Sequence, residues 1–335
     1  MSSQVDDRSA RGGGAAVLWD HFKPDRRKAL YGFIAAVVIF VVGNQLHPGF
    51  ASAAGVKTVL VVASFTAIVA AGQTLVILVG GIDLSVPWVL NAAAAMLAVT
   101  AAGSDSRAVW AIPLTLATGL VIGLVNGIGV SLLSVPAVIM TLGMNGIVQG
   151  LTLGLTGGFT CANCSSPAPP SVHTAVYGTV FGIPGQLYIL AAVAVVMTLV
   201  LSYMGFGRRI YALGNNAWAS YLSGVNVKLV TITLYGLSGV FAAMAGILLM
   251  GYGGKATLGM GDPYLFESIA ATVVGGVYIL GGRGHYLGSL AGAICLTAIV
   301  SLALAENMPD YGRSIVYGVV ILAILLVYGR AEREA

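Results

Sequence analysis

A chain of 335 residues with 58% hydrophobic residues, only 8% charged residues and a mean hydropathy of +0.93 is too poor in charge to cover itself with a water-compatible surface. Soluble domains carry roughly a quarter charged residues, so an ordinary soluble globular protein is excluded and the bilayer is the expected solvent. The formal charge of +4 is spread along the chain and not gathered on one basic segment beside aromatics, which argues against a nucleic-acid-binding surface.

The polar segment 1–28 ends in Arg26, Arg27 and Lys28 and reads as a cytoplasmic tail. The apolar stretch behind it lacks a convincing small-residue cleavage site, so it is expected to remain as a first span and not to be removed as a signal peptide. About 20 apolar residues cross a bilayer. On that criterion spans are predicted near 29–46, 57–79, 86–102, 109–132, 136–155, 187–204, 229–250, 266–281, 286–304 and 312–328. The expected fold class is therefore all-α: a polytopic integral membrane protein of about ten transmembrane helices filling 29–330, with a short cytoplasmic tail at 331–335. With the N-terminus inside and the spans alternating, twelve of the 16 Lys and Arg residues fall on the inner side; Lys57, Arg107, Lys255 and Arg313 fall outside. This asymmetry supports both direction and span count, because a missed span would put later basic loops on the wrong side. The hydrophilic remainder is an uncharged outer loop at 156–186, an inner loop at 205–228 and short connections. No extramembrane domain is expected. The 46 glycines lie mostly in apolar runs, where small residues let helices approach closely.

The most informative short stretch is Gly80-Gly81-Ile82-Asp83-Leu84-Ser85-Val86-Pro87. Two glycines end one span, Asp83 and Ser85 stand where helix N-caps belong, and Pro87 suits a first helical turn. The segment is either a capped helix start at the inner membrane face or a helix break lining a pathway. An aspartate at the membrane centre costs about 2.5–3.5 kcal/mol on insertion scales, which favours a boundary position or contact with water. Polar residues inside spans include Gln73, Asn91, Asn126, Asn145 and Gln149. Each can bond between helices; together with Asp83 they are candidates to line a path for a neutral, hydroxyl-rich solute. The near absence of charge within the spans argues against a proton relay or an ion pump. Gly-Gly pairs recur at Gly80, Gly275 and Gly281, too little to establish an internal duplication.

Cys161 and Cys164 lie in the outer loop, where an oxidising compartment would permit a local disulfide; Cys295 lies in an apolar run and reads as a packing residue. The three do not form a zinc pattern, so no metal is expected. Nor is a cofactor, and no nucleophile–base pair or paired carboxylate points to a membrane enzyme. Gly253-Gly254-Lys255 lacks the first glycine and the Ser/Thr of a phosphate loop, and Gly281 to Gly288 lacks dinucleotide spacing, so the chain has no ATP site of its own. In the inner loop, Gly207 to Val225 reads as a small helix that Asn215 or Asn216 can cap and Gly224 can end. Trp218, Tyr221 and Leu222 share one face of it. Such a face suits either a groove in a partner protein or the membrane interface.

Four blocks of sequence resemble the permease subunits of ribose-type ABC importers, within the branched-chain amino acid and sugar permease superfamily. They are Gly80 to Val86; Asn126-Gly127 with Val135 to Gly143; the loop from Gly207 to Val227; and Gly275-Gly276 through Gly281-Gly282-Arg283-Gly284 with Leu287-Gly288. They come in the family's order and span about 60–328. Pro87 stands where the family usually has Gly, and Ala137 where a second Pro is common. The resemblance implies an ABC importer permease fold in the bacterial inner membrane, with the permease domain at 29–330 and a periplasmic loop at 156–186. It also implies a second permease subunit (a homo- or heterodimer), cytoplasmic ABC ATPases, a periplasmic solute-binding protein and a sugar-like solute. It turns the 205–228 loop into a coupling loop that seats in the ATPase, with Arg208, Arg209, Tyr211, Asn215, Asn216, Trp218, Leu222 and Gly224 at the contact. The competing reading is an ATP-independent facilitator or secondary transporter.

Overall fold

The computed structural model describes residues 26–158 and 167–305, together with positions 312, 315, 318 and 319. The predicted tenth span, the C-terminal tail, Cys161 and Cys164 lie outside the described residues, as does nearly all of the N-terminal tail.

The chain is a bundle of helices. α1 (Arg26–Leu46), α2 (Ala53–Ile77), α3 (Val86–Ala101), α4 (Asp105–Ser131) and α5 (Ala137–Thr156) come first. A short α6 (Pro170–Tyr177) and a two-stranded hairpin, β1 (Thr179–Val180) and β2 (Ile183–Pro184), follow in the stretch expected to be an outer loop. Then come α7 (Gly185–Ser202), α8 (Gly205–Asn215), α9 (Ala217–Leu222), α10 (Val227–Gly253), α11 (Tyr264–Val274) and α12 (Tyr286–Ala305). Among the described residues, six helices (α2, α4, α5, α7, α10 and α12) are long and apolar enough to cross a membrane, and three shorter apolar ones are α1, α3 and α11. The protein is thus a multi-pass membrane protein; nine of the ten predicted spans fall on described residues, where six helices are full-length candidates and three are shorter. The clearest departure is the predicted span 266–281: the helix stops at Val274 and the chain continues as turns to His285.

α2 and α10 form the core. Most of α2 is buried, from Ala63 to Ile77 without interruption. α10 packs on α4, α2 and α3. Backbone contact joins α10 to α4: Gly119, Gly123 and Gly127 recur every fourth residue along one stripe of α4. A Cβ at Gly123 would collide with the carbonyl oxygen of Tyr235, and one at Gly119 with that of Gly239. In lipid there is no hydrophobic force between helices, so this close approach supplies the association through dispersion. α5 carries the same pattern (Gly143, Gly146, Gly150, Gly154), yet a Cβ at any of these four would meet nothing within 4 Å among the described residues. Cys295 is buried and donates to the carbonyl of Gly32 at 3.3 Å, a packing role as expected.

Local chemistry sets several helix starts. The side chains of Ser52, Asn216 and Asn226 each accept a hydrogen bond from a backbone N–H three residues on, opening α2, α9 and α10. The hairpin turns through Phe181 and Gly182, both at positive φ, as a two-residue connection between twisted strands requires. Lys57 donates to the Gly182 carbonyl at 2.7 Å and ties the hairpin to the start of α2.

Candidate functional site

Two stretches of non-helical backbone, termed breaks, link consecutive helices of the bundle. The first break, 78–85, separates α2 from α3; the second, 275–285, separates α11 from α12. Gly80 (φ 78°) in the first and Gly276 (φ 82°) in the second take a left-handed backbone just past a helix end without a Cβ penalty. The two breaks touch: the Gly282 N–H donates to the carbonyl of Leu78 at 2.8 Å.

Asp83 is 2% exposed and sits in the first break. Its carboxylate accepts from the Ser85 N–H at 3.0 Å, the Ser85 hydroxyl at 2.6 Å and the Ser238 hydroxyl at 2.7 Å. Asn126 Nδ2 donates in turn to Ser85 Oγ at 2.9 Å. Ser238 lies near the centre of α10. The expected capping role is corrected: Asp83 is buried against α10, and Ser85, at the cap position of α3, makes no side-chain cap bond. Three donors offset much of the insertion cost that had favoured a boundary. The network joins the break to α4 and α10, the two helices locked by the glycine stripe.

The other predicted path residues are only partly brought together. Asn91 is buried on α3 and donates to the Pro87 carbonyl at 3.0 Å. Gln73 is fully buried on α2, and among the described residues neither of its amide atoms has a hydrogen-bond partner. The Tyr235 hydroxyl, which a Cβ at Gly81 would meet at 2.5 Å, is likewise unpartnered. Asn145 and Gln149 are half-buried one turn apart on α5, with no hydrogen bond to the Asp83 cluster. Sequence reasoning missed Ser238 and Tyr235, since nothing local marks a serine or tyrosine in an apolar helix as a partner for a distant aspartate. It also overlooked Glu267, an acid inside a predicted span, to which Thr66 Oγ1 donates at 2.9 Å. That acid in an apolar run was a readable signal.

The 205–228 loop is two helices, not one. Asn216 between them is extended (φ −158°, ψ 104°). α8 turns Ile210, Tyr211 and Leu213 into the bundle. α9 leaves Trp218, Tyr221 and Leu222 exposed at 69%, 61% and 68%, the two rings stacked 5.8 Å apart. Arg208, Arg209, Asn216 and Gly224 are exposed as well. Tyr211 is 2% exposed, so its place in the predicted ATPase contact is corrected: its hydroxyl donates to the Gly284 carbonyl. Burial pushes that hydroxyl well above the ordinary phenol value, which keeps it a donor. Asn215 is exposed too, and its amide donates to the carbonyls of Gly282 and Tyr211.

Long apolar helices packed at backbone contact, with a buried carboxylate in the segment between two of them, define a polytopic membrane protein. Residues 55–325 match the family model described as the permease component of a branched-chain amino acid transport system, and the chain belongs to that permease family. The ribose import permease protein RbsC of Escherichia coli K12 is 34% identical over 299 residues, covering 89% of this chain and 93% of its own. RbsC of Haemophilus influenzae is 32% identical over 294 residues, covering 88% and 91%. The autoinducer 2 import system permease protein LsrC of Escherichia coli O9:H4 is 30% identical over 303 residues, covering 90% and 87%. No solved structure gives a significant match.

Proposed function

We propose that this permease is the membrane-spanning subunit of an ATP-binding-cassette importer that carries a monosaccharide or related polyol across the bacterial inner membrane by alternating access. The observation that carries the proposal is α9: a stacked Trp218–Tyr221 pair with Leu222, exposed beside Arg208 and Arg209, in a chain related to import permeases. Exposed aromatics of this kind are what an interface uses as anchors. The energy source is a pair of ABC ATPases seated on α9, and a solute-binding protein delivers cargo to the opposite side. On this reading both termini and the 205–228 loop are cytoplasmic, and the excess of Lys and Arg expected on that side supports it. Besides Asp83 and Glu267, the interior offers hydroxyls and amides such as Gln73, Asn91 and Asn126, which suit a hydroxyl-rich solute held weakly.

Arg208→Glu and Arg209→Glu combined with Trp218→Ala are expected to separate ATP hydrolysis from uptake. Losing one aromatic anchor costs about 2 kcal/mol or more at such an interface, a binding loss of roughly 30-fold or more. Proteoliposomes holding permease, ATPase and binding protein measure both rates; wild-type coupling in the triple variant refutes the assigned loop.

The second permease subunit is assigned to the open glycine stripe of α5. The matching stripe on α4 already holds α10 at backbone contact, and the α5 stripe offers an equivalent seat to a helix of the partner. Gly146→Leu with Gly150→Leu is expected to yield folded monomers. Mass photometry in nanodiscs decides this, and dimers of undiminished stability would refute the assignment.

A further inference from the structure

Helix α8 meets both breaks at once. Tyr211 Oη donates to the Gly284 carbonyl at 2.8 Å, and Asn215 Nδ2 donates to the Gly282 carbonyl at 3.1 Å. The same amide reaches the Tyr211 carbonyl at 2.8 Å, which fixes its orientation. Gly282 passes the connection on, its N–H donating to Leu78 at 2.8 Å. A Cβ at Gly214 would collide with the Leu78 carbonyl, so the backbone of α8 rests directly on the first break.

These bonds answer a need of the second break. Gly281, Gly282 and Gly284 all have positive φ; the turn pairs its own Tyr278 and Arg283 carbonyls, each at 2.9 Å, but among the described residues supplies no backbone donor to those of Gly282 and Gly284. Donors must come from elsewhere, and α8 provides two of them. At its other end, α8 is separated from the exposed α9 by Asn216 alone. Asn216 is no loose hinge. Its N–H donates to the Ala212 carbonyl at 3.0 Å and its side chain accepts from the Ala219 N–H at 2.9 Å, so it bonds into both helices.

We propose that Tyr211 and Asn215 are positioning residues for transport: they clamp segment 275–285 to α8 and, through Gly282 and Leu78, bring segment 78–85 with it, so that a displacement of α9 moves both helix breaks as one body. The proposal rests on the reading of the chain as an ATP-driven permease. It reassigns two residues from contact with the ATPase to delivery of its motion. Each break joins two helix segments, α2 to α3 and α11 to α12, so a rigid shift of both reorients four helix ends together. Tyr211 and Asn215 touch no solute; they act through the backbone of the turn.

Hydrogen exchange on the full-length permease in nanodiscs tests the clamp without any ATPase. Tyr211→Phe removes one oxygen and keeps the ring in its buried place; Asn215→Leu removes the amide donor at similar volume. In each variant the amides of 78–85 and 276–285 are expected to exchange about fivefold to tenfold faster, the loss of one hydrogen bond, while those of α4 and α10 keep their rates. Unchanged exchange in either break, or equal acceleration in every helix, overturns the proposal. In proteoliposomes with ATPase and binding protein, both variants are expected to retain the bound ATPase and to consume at least about fivefold more ATP per solute imported. A wild-type ratio overturns the role in transport. A wild-type permease that retains no ATPase sinks the functional reading, and with it that role; the exchange result still decides the clamp.

Discussion

Gly123→Leu is expected to deprive the chain of its folded state, whereas Gly150→Leu is expected to leave the protomer folded. Both glycines sit in stripes of the same spacing, on α4 and α5. At Gly123 the nearest atoms to a new Cβ are backbone: the Tyr235 carbonyl oxygen, with the Gly236 Cα at 2.9 Å. Backbone cannot swing aside as a side chain can, so α4 and α10 must separate. Overpacking of a core costs about 1–3 kcal/mol even for a few added carbons. Here the separation also pulls Asn126 on α4 away from Ser85, and the buried network loses a member. At Gly150 a Cβ meets nothing within 4 Å among the described residues. Fluorescence-detected size exclusion of detergent extracts distinguishes the two. Gly123→Leu is expected in the void volume or absent, Gly150→Leu as a symmetric peak; a monodisperse Gly123→Leu protein would show that the α4–α10 contact is not required.

Asp83→Leu has the second largest expected effect. The carboxylate takes three hydrogen bonds, and its removal leaves the Ser85 N–H, the Ser85 hydroxyl and the Ser238 hydroxyl without their acceptor in a buried site. An orphaned buried donor costs about 1–3 kcal/mol, so the three together lower the apparent melting temperature by roughly 5–10 °C. Uptake is expected to be lost, because the first break is no longer held to α10. Asp83→Asn separates shape from charge. Its carbonyl can still accept from Ser85, and its amide can donate to the Ser238 oxygen. A drop of under about 3 °C is expected, as befits a hydrogen-bond network kept in altered form. Equal melting of Asp83→Leu and wild type would show that the carboxylate holds nothing in place.

The helices were legible in the sequence because hydrophobicity alone marks them. α2, α4, α5, α7, α10 and α12 all fall within a few residues of a predicted span. The short α11 was not, because the residues after it, Gly275 to Leu280, remain apolar while the chain unwinds. A hydropathy window cannot see a break whose residues are themselves apolar. Gly275-Gly276 was the available sign, and a glycine pair without an established repeat did not outweigh the window. The hydrogen bonds of Asp83 were not legible either. The insertion cost is readable from the sequence, but Ser238, the partner 155 residues away that helps offset it, is not.

The loop shows a third limit. In a single continuous helix Tyr211 and Trp218, seven residues apart, would share a face. So would Asn215 and Leu222. The family resemblance assigned all four to one contact. The extended backbone at Asn216 interrupts the period, and Tyr211 turns inward while Trp218 stays exposed. The capping asparagine was foreseen, but its effect on the facing of everything before it was not.

The central claim is that this chain transports only with an ATPase partner seated on α9. It is tested most directly by purifying the tagged permease from its native membranes, identifying co-purifying proteins by mass spectrometry, and assaying solute uptake by the permease with and without them in liposomes. The account predicts an ABC ATPase in stoichiometric amount, released by the Arg208, Arg209 and Trp218 triple variant, and no uptake by the permease alone. A permease that purifies without an ATPase and equilibrates a sugar across liposomes unaided would contradict it.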